Sequence, residues 1–330
     1  MLDPADRWLV DGVIEGRRRP LAKAITLIES TRPDHRRRAA KVLDALLPQT
    51  GRSIRLGISG SPGAGKSTFI EALGLELIRR GHHVAVLAID PSSTRSGGSI
   101  LGDKTRMEKL SANPDAFIRP SPSGGALGGV ADKTREAMLI CEAAGFDVVI
   151  IETVGVGQSE TTVAGMVDLF VLIQLPNSGD DLQAIKKGIV EVADVIVVNK
   201  ADIDPDAAQL ARRQLAGALT LLRSSAPRRK PVVLTTSAAR NQDIDKFWDE
   251  IERLHRAMVD DGELDAKRRR QAVDWMWSLI DAGLRARFRE NPKVRRDLDS
   301  FREAVAEGRL SPGAAAGRLL DYMESRAGDA

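Results

Sequence analysis

The sequence predicts an α/β protein with a mainly parallel central sheet, bracketed by N-terminal and C-terminal helical extensions. Two observations predict this class. In the middle of the chain, short and nearly continuous apolar runs rich in β-branched residues alternate with segments of helical spacing. Such runs are typical of strands buried on both faces of a parallel sheet. The predicted strands are 54–59, 84–90, 148–152, 169–174, 195–199 and 232–235.

The pattern divides the chain into three predicted regions. Residues 1–50 form an N-terminal helical extension of two or three short helices, with breaks at Pro20 and Pro33. Residues 51–242 form the α/β domain. Residues 243–330 form a C-terminal helical region, because the strand-like runs stop and helical spacing takes over.

The C-terminal region contains two clusters of large apolar residues. Ile244, Phe247 and Trp248 share one face of a predicted helix. Trp275 and Trp277 begin a second amphipathic stretch. Tryptophans can anchor protein interfaces, but aromatic residues at this spacing are more often part of a core, and we interpret both as core residues.

Composition excludes several classes of protein. The chain has 330 residues, 42% of them hydrophobic and 29% charged, which is typical of a folded globular protein. Its 49 basic and 46 acidic residues give a net charge of +3, so a general affinity for nucleic acid is not expected. We interpret the basic runs 17–19, 36–38 and 267–270 as solvated helix faces rather than nucleic-acid contacts.

The single cysteine, Cys141, lies among apolar residues of a helical pattern, where a buried structural thiol is expected. One cysteine cannot form an internal disulfide, which fits a reducing compartment. No apolar run reaches the ~18 residues that a membrane span needs. The first residues also lack a signal-peptide pattern. These features predict a cytoplasmic protein without a membrane partner.

A phosphate-binding sequence follows the first predicted strand. It matches the P-loop pattern G-x-x-x-x-G-K-[ST] and precedes a helix that begins near Thr68. Backbone N–H groups of such a loop point at phosphate oxygens, the lysine reaches the β- and γ-phosphates, and the serine hydroxyl ligates Mg²⁺. A plain connecting turn would require neither the lysine nor the serine. The sequence therefore predicts a P-loop NTPase. The matching residues are Gly60, Ser61, Pro62, Gly63, Ala64, Gly65, Lys66 and Ser67.

Two downstream elements favour guanine over adenine. Asn199, Lys200 and Asp202 form the N-K-x-D pattern directly after a predicted strand. A carboxylate at Asp202 pairs with the N1–H and amino group of guanine, whereas adenine would leave it unpaired at a cost of about 1–3 kcal/mol. The segment Ser237-Ala238-Ala239 resembles a loop whose backbone N–H groups approach guanine O6. The alternative for residues 199–202 is a turn in which Asp202 caps a helix.

A third group of residues is predicted to hold the metal and support hydrolysis. Glu152 ends a predicted strand where most GTPases carry aspartate, so it could ligate Mg²⁺ directly or through water. Gly155 is the expected γ-phosphate sensor. Asp90 and Asp103 are further metal candidates beside Ser67, although Asp90 could instead cap a turn. Lys66, Asp90 and Glu152 are predicted to serve the reaction itself.

Three further residues are candidates for positioning the attacking water and for neutralising charge. Gln158 could orient the attacking water, and Lys104 and Arg106 could face the phosphates, but all three could equally be loop residues in solvent. No residue stands out as an arginine finger. We therefore expect slow intrinsic hydrolysis that a partner accelerates.

Several longer segments closely resemble the MeaB/ArgK family of P-loop GTPases, and the resemblance covers about residues 20–290. The segments that carry it are 124–130, 133–137, 145–147, 152–160 and 179–188. The resemblance implies a GTPase chaperone that uses GTP, GDP and Mg²⁺ to gate cofactor loading into adenosylcobalamin-dependent methylmalonyl-CoA mutase and to protect that enzyme. It also implies a homodimer formed through the C-terminal helices.

The resemblance assigns roles residue by residue. Lys66, Ser67, Asp90, Asp103 and Glu152 would be the phosphate and Mg²⁺ residues. The residues that would read guanine are Asn199, Lys200 and Asp202. The segment 177–187 would be a nucleotide-responsive switch that touches the mutase.

Three other functions remain open at this point. Some relatives have been described as kinases in basic amino-acid transport, which would make the chain an ATP-dependent kinase, although N-K-x-D argues against ATP. A nickel metallochaperone GTPase would need Cys/His clusters, and here Cys141 is alone and only His82 and His83 are adjacent. A scaffold that binds nucleotide without hydrolysing it is the third.

Overall fold

The structure is a computed structural model, and it describes residues 2–90, 107–122, 127–153, 160–176, 192–222 and 230–324. Within them lies a seven-stranded sheet whose order is β3-β2-β4-β1-β5-β6-β7, with every pair parallel. The predicted class is confirmed. The strands are β1 (Ile54–Gly60), β2 (Val84–Asp90), β3 (Ala116–Pro122), β4 (Val148–Thr153), β5 (Leu169–Gln174), β6 (Val195–Val198) and β7 (Val232–Thr235).

The sequence pattern predicted six of these strands and missed β3. This strand contains Pro120 and Pro122, and proline lacks the N–H that a central strand would have to donate. β3 lies at the edge of the sheet, where it pairs only with β2. Proline is tolerated at an edge, so the same residues that hid the strand also fit its position.

Helices cover both faces of the sheet. The side chains of β2 show why both faces are apolar, since Ala85, Leu87 and Ile89 join one core cluster whereas Val84 and Val86 join the other. The helices are α1 (Pro4–Ile14), α2 (Arg18–Glu29), α3 (Pro33–Leu46), α4 (Lys66–Arg79), α5 (Glu108–Ser111), α6 (Leu127–Ala143), α7 (Glu160–Ala164), α8 (Pro205–Leu222), α9 (Ile244–Asp260), α10 (Glu263–Glu290), α11 (Pro292–Ala306) and α12 (Pro312–Glu324).

The two faces bury different helices. Residues of α1, α2, α3, α6 and α8 belong to the first core cluster, with Leu21, Val42 and Met138 among them. Residues of α4 and α9 belong to the second, where Phe69 meets Phe247 edge to face at a centroid distance of 4.9 Å. Cys141 is fully buried in the first cluster, and burial raises the pKa of its thiol, as expected for a structural cysteine.

The predicted solvation of the basic runs is wrong for Arg268, whereas Arg38 keeps 37% of its side chain exposed and also pairs with a carboxylate. The Arg268 side chain is only 15% exposed, and its guanidinium donates to Asp168 at 2.8 and 2.6 Å and to the Ser53 carbonyl at 2.6 Å. Arg38 donates to the buried carboxylate of Asp6 at 3.0 and 2.7 Å. Buried carboxylates need such partners, because an isolated ion is costly to bury.

The chain separates into two compact units, Met1–Gln271 and Ala272–Ala330. In the second unit, the Asn291 side chain caps α11 by accepting from the Lys293 amide at 2.9 Å. Trp277 is 58% exposed in that unit, so its interpretation as a core residue is wrong. Among the helices within the described residues, none is both long and apolar enough to cross a membrane.

Candidate nucleotide-binding site

The P-loop joins the end of β1 to the start of α4 and depends on two glycines. A Cβ at Gly60 would lie 2.3 Å from the Ile173 carbonyl oxygen of the neighbouring strand, so no side chain fits. Gly65 has a φ of +85°, a left-handed conformation that side chains disfavour, and its carbonyl accepts from the Phe69 amide at 2.9 Å. The loop therefore turns sharply and leads directly into a helix N-terminus.

Lys66 places its ammonium across this loop. Its Nζ donates to the carbonyl oxygens of Gly60 at 2.8 Å and Ser61 at 3.2 Å. Within the loop, Pro62 and Gly63 are exposed, while Ala64 is buried in the second core cluster. Thr68 lies in the first turn of α4 and is exposed. The ammonium and the positive end of the helix together favour an anion such as phosphate.

Ser67 and Glu152 bring two oxygen ligands together beside the loop. The Ser67 hydroxyl donates to Glu152 Oε1 at 3.3 Å, although the two residues are 85 positions apart in the sequence. Glu152 is 8% exposed and pairs with Ile58 of β1 in the strand register. A hydroxyl and a carboxylate are hard oxygen donors that suit Mg²⁺, so these residues fit that ion.

The other predicted metal and hydrolysis residues are only partly described. Asp90 is the last residue of β2, and its neighbour Ile89 pairs with Thr153 of β4. The Asp90 backbone therefore lies, like Glu152, at the C-terminal ends of the strands. The Asp90 side chain lies outside the described residues. Beyond the described residues also lie Asp103, Lys104, Arg106, Gly155, Gln158 and the predicted switch 177–187.

Asn199 connects the P-loop to the predicted base-binding loop. Its buried amide donates through Nδ2 to the Ala64 carbonyl at 2.9 Å. Its Oδ1 accepts from the Ala238 backbone amide at 3.1 Å and from the Thr236 hydroxyl at 3.3 Å. One side chain thus fixes three segments that the sequence separates widely.

Lys200 and Asp202 lie on the exposed side of this connection. Lys200 has a φ of +62°, and its Cε would lie 3.7 Å from a Cβ placed on Gly65. The Asp202 carboxylate accepts a 2.5 Å hydrogen bond from the Ser237 hydroxyl. Ala239 follows in the same turn. At the base of this turn, Ser237 and Gln242 pair as an isolated antiparallel bridge. The turn therefore holds the carboxylate in place.

Sequence reasoning missed the contribution of Thr236. Its hydroxyl donates to Asn199 Oδ1, and its backbone carbonyl accepts from the Ala201 amide at 3.0 Å. The available signal was the hydroxyl-bearing run Thr235-Thr236-Ser237 between a strand and the Ala-Ala turn. Such a run is a candidate for side-chain hydrogen bonds to neighbouring backbone.

Comparison with known proteins identifies the family. The model of the family described as methylmalonyl-CoA mutase-associated GTPase MeaB matches residues 21–293. The chain belongs to the MeaB family. This result confirms the resemblance inferred from the sequence, and with it the prediction that the enzyme is a GTPase. GTP and GDP are the nucleotides of such a site.

Relatives of this MeaB-family GTPase match it over nearly its whole length. A putative GTPase of Caulobacter vibrioides is 54% identical over 308 residues, which cover 93% of this chain and 94% of that protein. The GTPase ArgK of Escherichia coli is 47% identical, with coverage of 94% and 95%. The crystal structure of an LAO/AO transport system kinase has a TM-score of 0.77 and 39% sequence identity, with coverage of 98% and 99%.

Proposed function

We propose that this GTPase is a chaperone of adenosylcobalamin-dependent methylmalonyl-CoA mutase, acting in the cytoplasm. Its GTP-dependent cycle would gate loading of the cofactor and protect the mutase from inactivation. The observation that carries the proposal is the extent of the family match. Residues 21–293 include most of α2 and all of α3 and α10, far beyond the elements that a nucleotide site alone requires.

Phosphate binding rests on the P-loop and Lys66. The ammonium that now bridges the Gly60 and Ser61 carbonyls lies within reach of the loop interior, where it would neutralise the β- and γ-phosphates. The proposed Mg²⁺ residues are Ser67, Asp90, Asp103 and Glu152. A bound Mg²⁺ would stabilise the negative charge that builds up on the phosphate oxygens.

Guanine recognition rests on Asp202. The Ser237 hydroxyl holds the carboxylate in one orientation, so two acceptor oxygens are fixed before the base arrives. A preorganised acceptor pair matches the two adjacent donors of guanine and has no equivalent partner on adenine. Asn199 would act indirectly, because its side-chain hydrogen bonds join the P-loop to the proposed base-binding loop.

We also propose a homodimer formed through the C-terminal helices. Val273, Met276, Trp277, Ile280 and Leu284 are exposed on α10, at positions i, i+3, i+4, i+7 and i+11 of the helix. These spacings place them on one helix face. We expect Trp277→Ser to shift the chain toward monomer in size-exclusion chromatography with light scattering. Lys41→Met, an exposed change on α3, is the matched control. A monomer mass for the parent chain would contradict the dimer, and dimer masses for all three proteins would contradict an interface at Trp277.

The mutase proposal is tested by a pull-down with purified methylmalonyl-CoA mutase in GTP and in GDP. We expect the amount of complex to depend on the nucleotide, and Lys66→Ala should abolish that dependence because the phosphates lose their cation. Equal recovery in GTP, in GDP and without nucleotide would contradict the chaperone role. The rate of GTP hydrolysis is measured on the same preparation. A preparation that hydrolyses GTP but does not bind the mutase would show that the partnership fails although the enzyme is active.

A kinase function is the second candidate, because the structural relative at 39% identity is described as an LAO/AO transport system kinase. Competition between GTP and ATP for the purified chain distinguishes the two. We expect GTP to displace a bound fluorescent guanine nucleotide and ATP to fail at comparable concentrations. Preferential binding of ATP would favour the kinase. A metallochaperone would instead require nickel binding by the purified chain.

A further inference from the structure

The three N-terminal helices line a cavity that is open to solvent and that the nucleotide site does not use. It has a volume of about 430 Å³ and lies between α1, α2 and α3. This volume falls in the range of ~300–1,000 Å³ that is typical of small-molecule sites. The lining residues are Ala5, Trp8, Leu9, Lys23, Thr26, Leu27, Ser30, His35 and Arg38. We propose that this cavity binds a small organic anion with an apolar body and one carboxylate or phosphate group.

The apolar part of the cavity comes from α1 and α2. Leu9 and Leu27 are buried at 6% and 8% exposure, and they belong to the same core cluster as the sheet. Trp8, at 39% exposure, supplies a flat aromatic surface. Aromatic and aliphatic side chains gain free energy when they lose contact with water, so this surface favours the apolar body of a ligand.

Lys23 is the cation of the cavity whose charge no carboxylate offsets within the described residues, since Arg38 is paired with Asp6. The ionisable lining residues are Lys23, His35 and Arg38, and no carboxylate is among the lining residues that the structure describes. Lys23 Nζ lies 5.4 Å from the centre of the Trp8 ring. No carboxylate of the described chain forms an ion pair with Lys23. An anionic ligand would supply the missing partner.

Arg38 and His35 are held in position by other groups. Arg38 Nε and Nη2 both donate to the buried Asp6 Oδ1, which fixes the guanidinium at the wall of the cavity. His35 Nδ1 lies 2.8 Å from the Ser30 hydroxyl. Because these groups are positioned in advance, a ligand would lose little free energy in ordering them.

The test uses the fluorescent anion 8-anilinonaphthalene-1-sulfonate and its uncharged analogue N-phenyl-1-naphthylamine, titrated against the full chain. We expect Lys23→Met to weaken binding of the sulfonate roughly fivefold, because an exposed ion pair of this kind is modest in strength. Binding of the uncharged analogue should not change. Lys41→Met on α3 and Trp277→Ser on α10 should leave both affinities as in the unmodified chain.

Three results would overturn the proposal. The first is equal sulfonate affinity with and without Lys23, and the second is loss of sulfonate binding in Trp277→Ser, which would place the probe on α10. Octanoate should displace the sulfonate. Displacement by an acetylated peptide of alternating Phe and Glu, but not by octanoate, would be the third, and would assign the cavity to a segment of a protein.

Discussion

The Thr153 hydroxyl donates a 2.7 Å hydrogen bond to the Ser59 hydroxyl, and both side chains are fully or almost fully buried. Ser59 directly precedes Gly60, the first residue of the P-loop, and Thr153 directly follows Glu152. The bond therefore ties the strand that ends in the phosphate loop to the strand that carries the proposed metal carboxylate. The contact adds to the backbone pairing of β1 with β4 next to Glu152.

We expect Thr153→Val to raise the Mg²⁺ requirement of GTP hydrolysis while lowering the free energy of unfolding only slightly. The substitution keeps the shape of the side chain but removes the donor, which should cost about 1 kcal/mol of unfolding free energy. The Mg²⁺ concentration at half-maximal GTP hydrolysis should rise several-fold, measured by phosphate release at saturating GTP. Thr50→Val, a change near the end of α3, is the control. An unchanged Mg²⁺ requirement would mean that Glu152 is positioned without Thr153.

Substitution of Asn199 by Asp should break the connection between the P-loop and the proposed base-binding loop. The carboxylate retains the acceptor for Ala238 but places a second oxygen against the Ala64 carbonyl, where the amide donated at 2.9 Å. Replacing a buried hydrogen bond by two facing acceptors costs about 1–3 kcal/mol. Guanine nucleotide should bind at least about tenfold more weakly in a fluorescent GDP titration. Retention of affinity in a folded Asn199→Asp protein would contradict the bridging role.

Asp202→Asn should change which base is accepted. The side-chain amide offers one acceptor and one donor, whereas guanine presents two donors at N1 and the exocyclic amine. Xanthine carries a carbonyl in place of that amine and matches the new pair. We therefore expect weaker GTP binding and stronger XTP binding, both measured by competition. Loss of both nucleotides would indicate that the Ser237 hydrogen bond, not base pairing, is the main function of the carboxylate.

Glu76 on α4 predicts a specific pH dependence of stability. Hydrogen bonds from Arg79, and then from Arg80, lower the pKa of this carboxyl to about 2 from its ordinary 4.5. Since the unfolded chain binds the proton more readily, the stabilisation is complete above pH 4.5 and is lost as the pH falls toward 2.

At pH 7, the free energy of unfolding of the Glu76→Gln variant should therefore be about 1–3 kcal/mol lower than that of the parent chain, as measured by urea denaturation. This difference in the free energy of unfolding, the gap between the two proteins, should narrow below pH 4.5, because protonation removes the charge of Glu76 from the parent chain as well. Glu290→Gln, an exposed change, should show no gap at either pH. A gap that stays constant down to pH 3 would point to a cause other than ionisation.

The sequence predicted the sheet well where local chemistry determines it. The apolar β-branched runs located β2, β5 and β7 with their observed bounds. The P-loop pattern also predicted a helix from about Thr68, and α4 begins two residues earlier, at Lys66. These features depend on residues that are close together in the chain, and periodicity can detect them.

The remaining features depend on partners far away in the sequence. Asn199 meets the Ala64 carbonyl across 135 positions, and Arg268 meets Asp168 across 100. No local pattern distinguishes an arginine that reaches a buried carboxylate from one that faces solvent. For the same reason the sequence predicted a base contact for Asn199 but not its connection between two loops.

The prolines of β3 have a consequence for the behaviour of the chain in solution. The Val84 amide of β2 donates to the Asp115 carbonyl, so the odd-numbered residues of β3 direct their backbone groups toward β2. The N–H groups missing at Pro120 and Pro122 are therefore ones that would face away from the sheet. An exposed edge normally offers a row of N–H groups to which a strand of another molecule can add. This edge offers an interrupted row, which protects a seven-stranded parallel sheet against aggregation through strand addition.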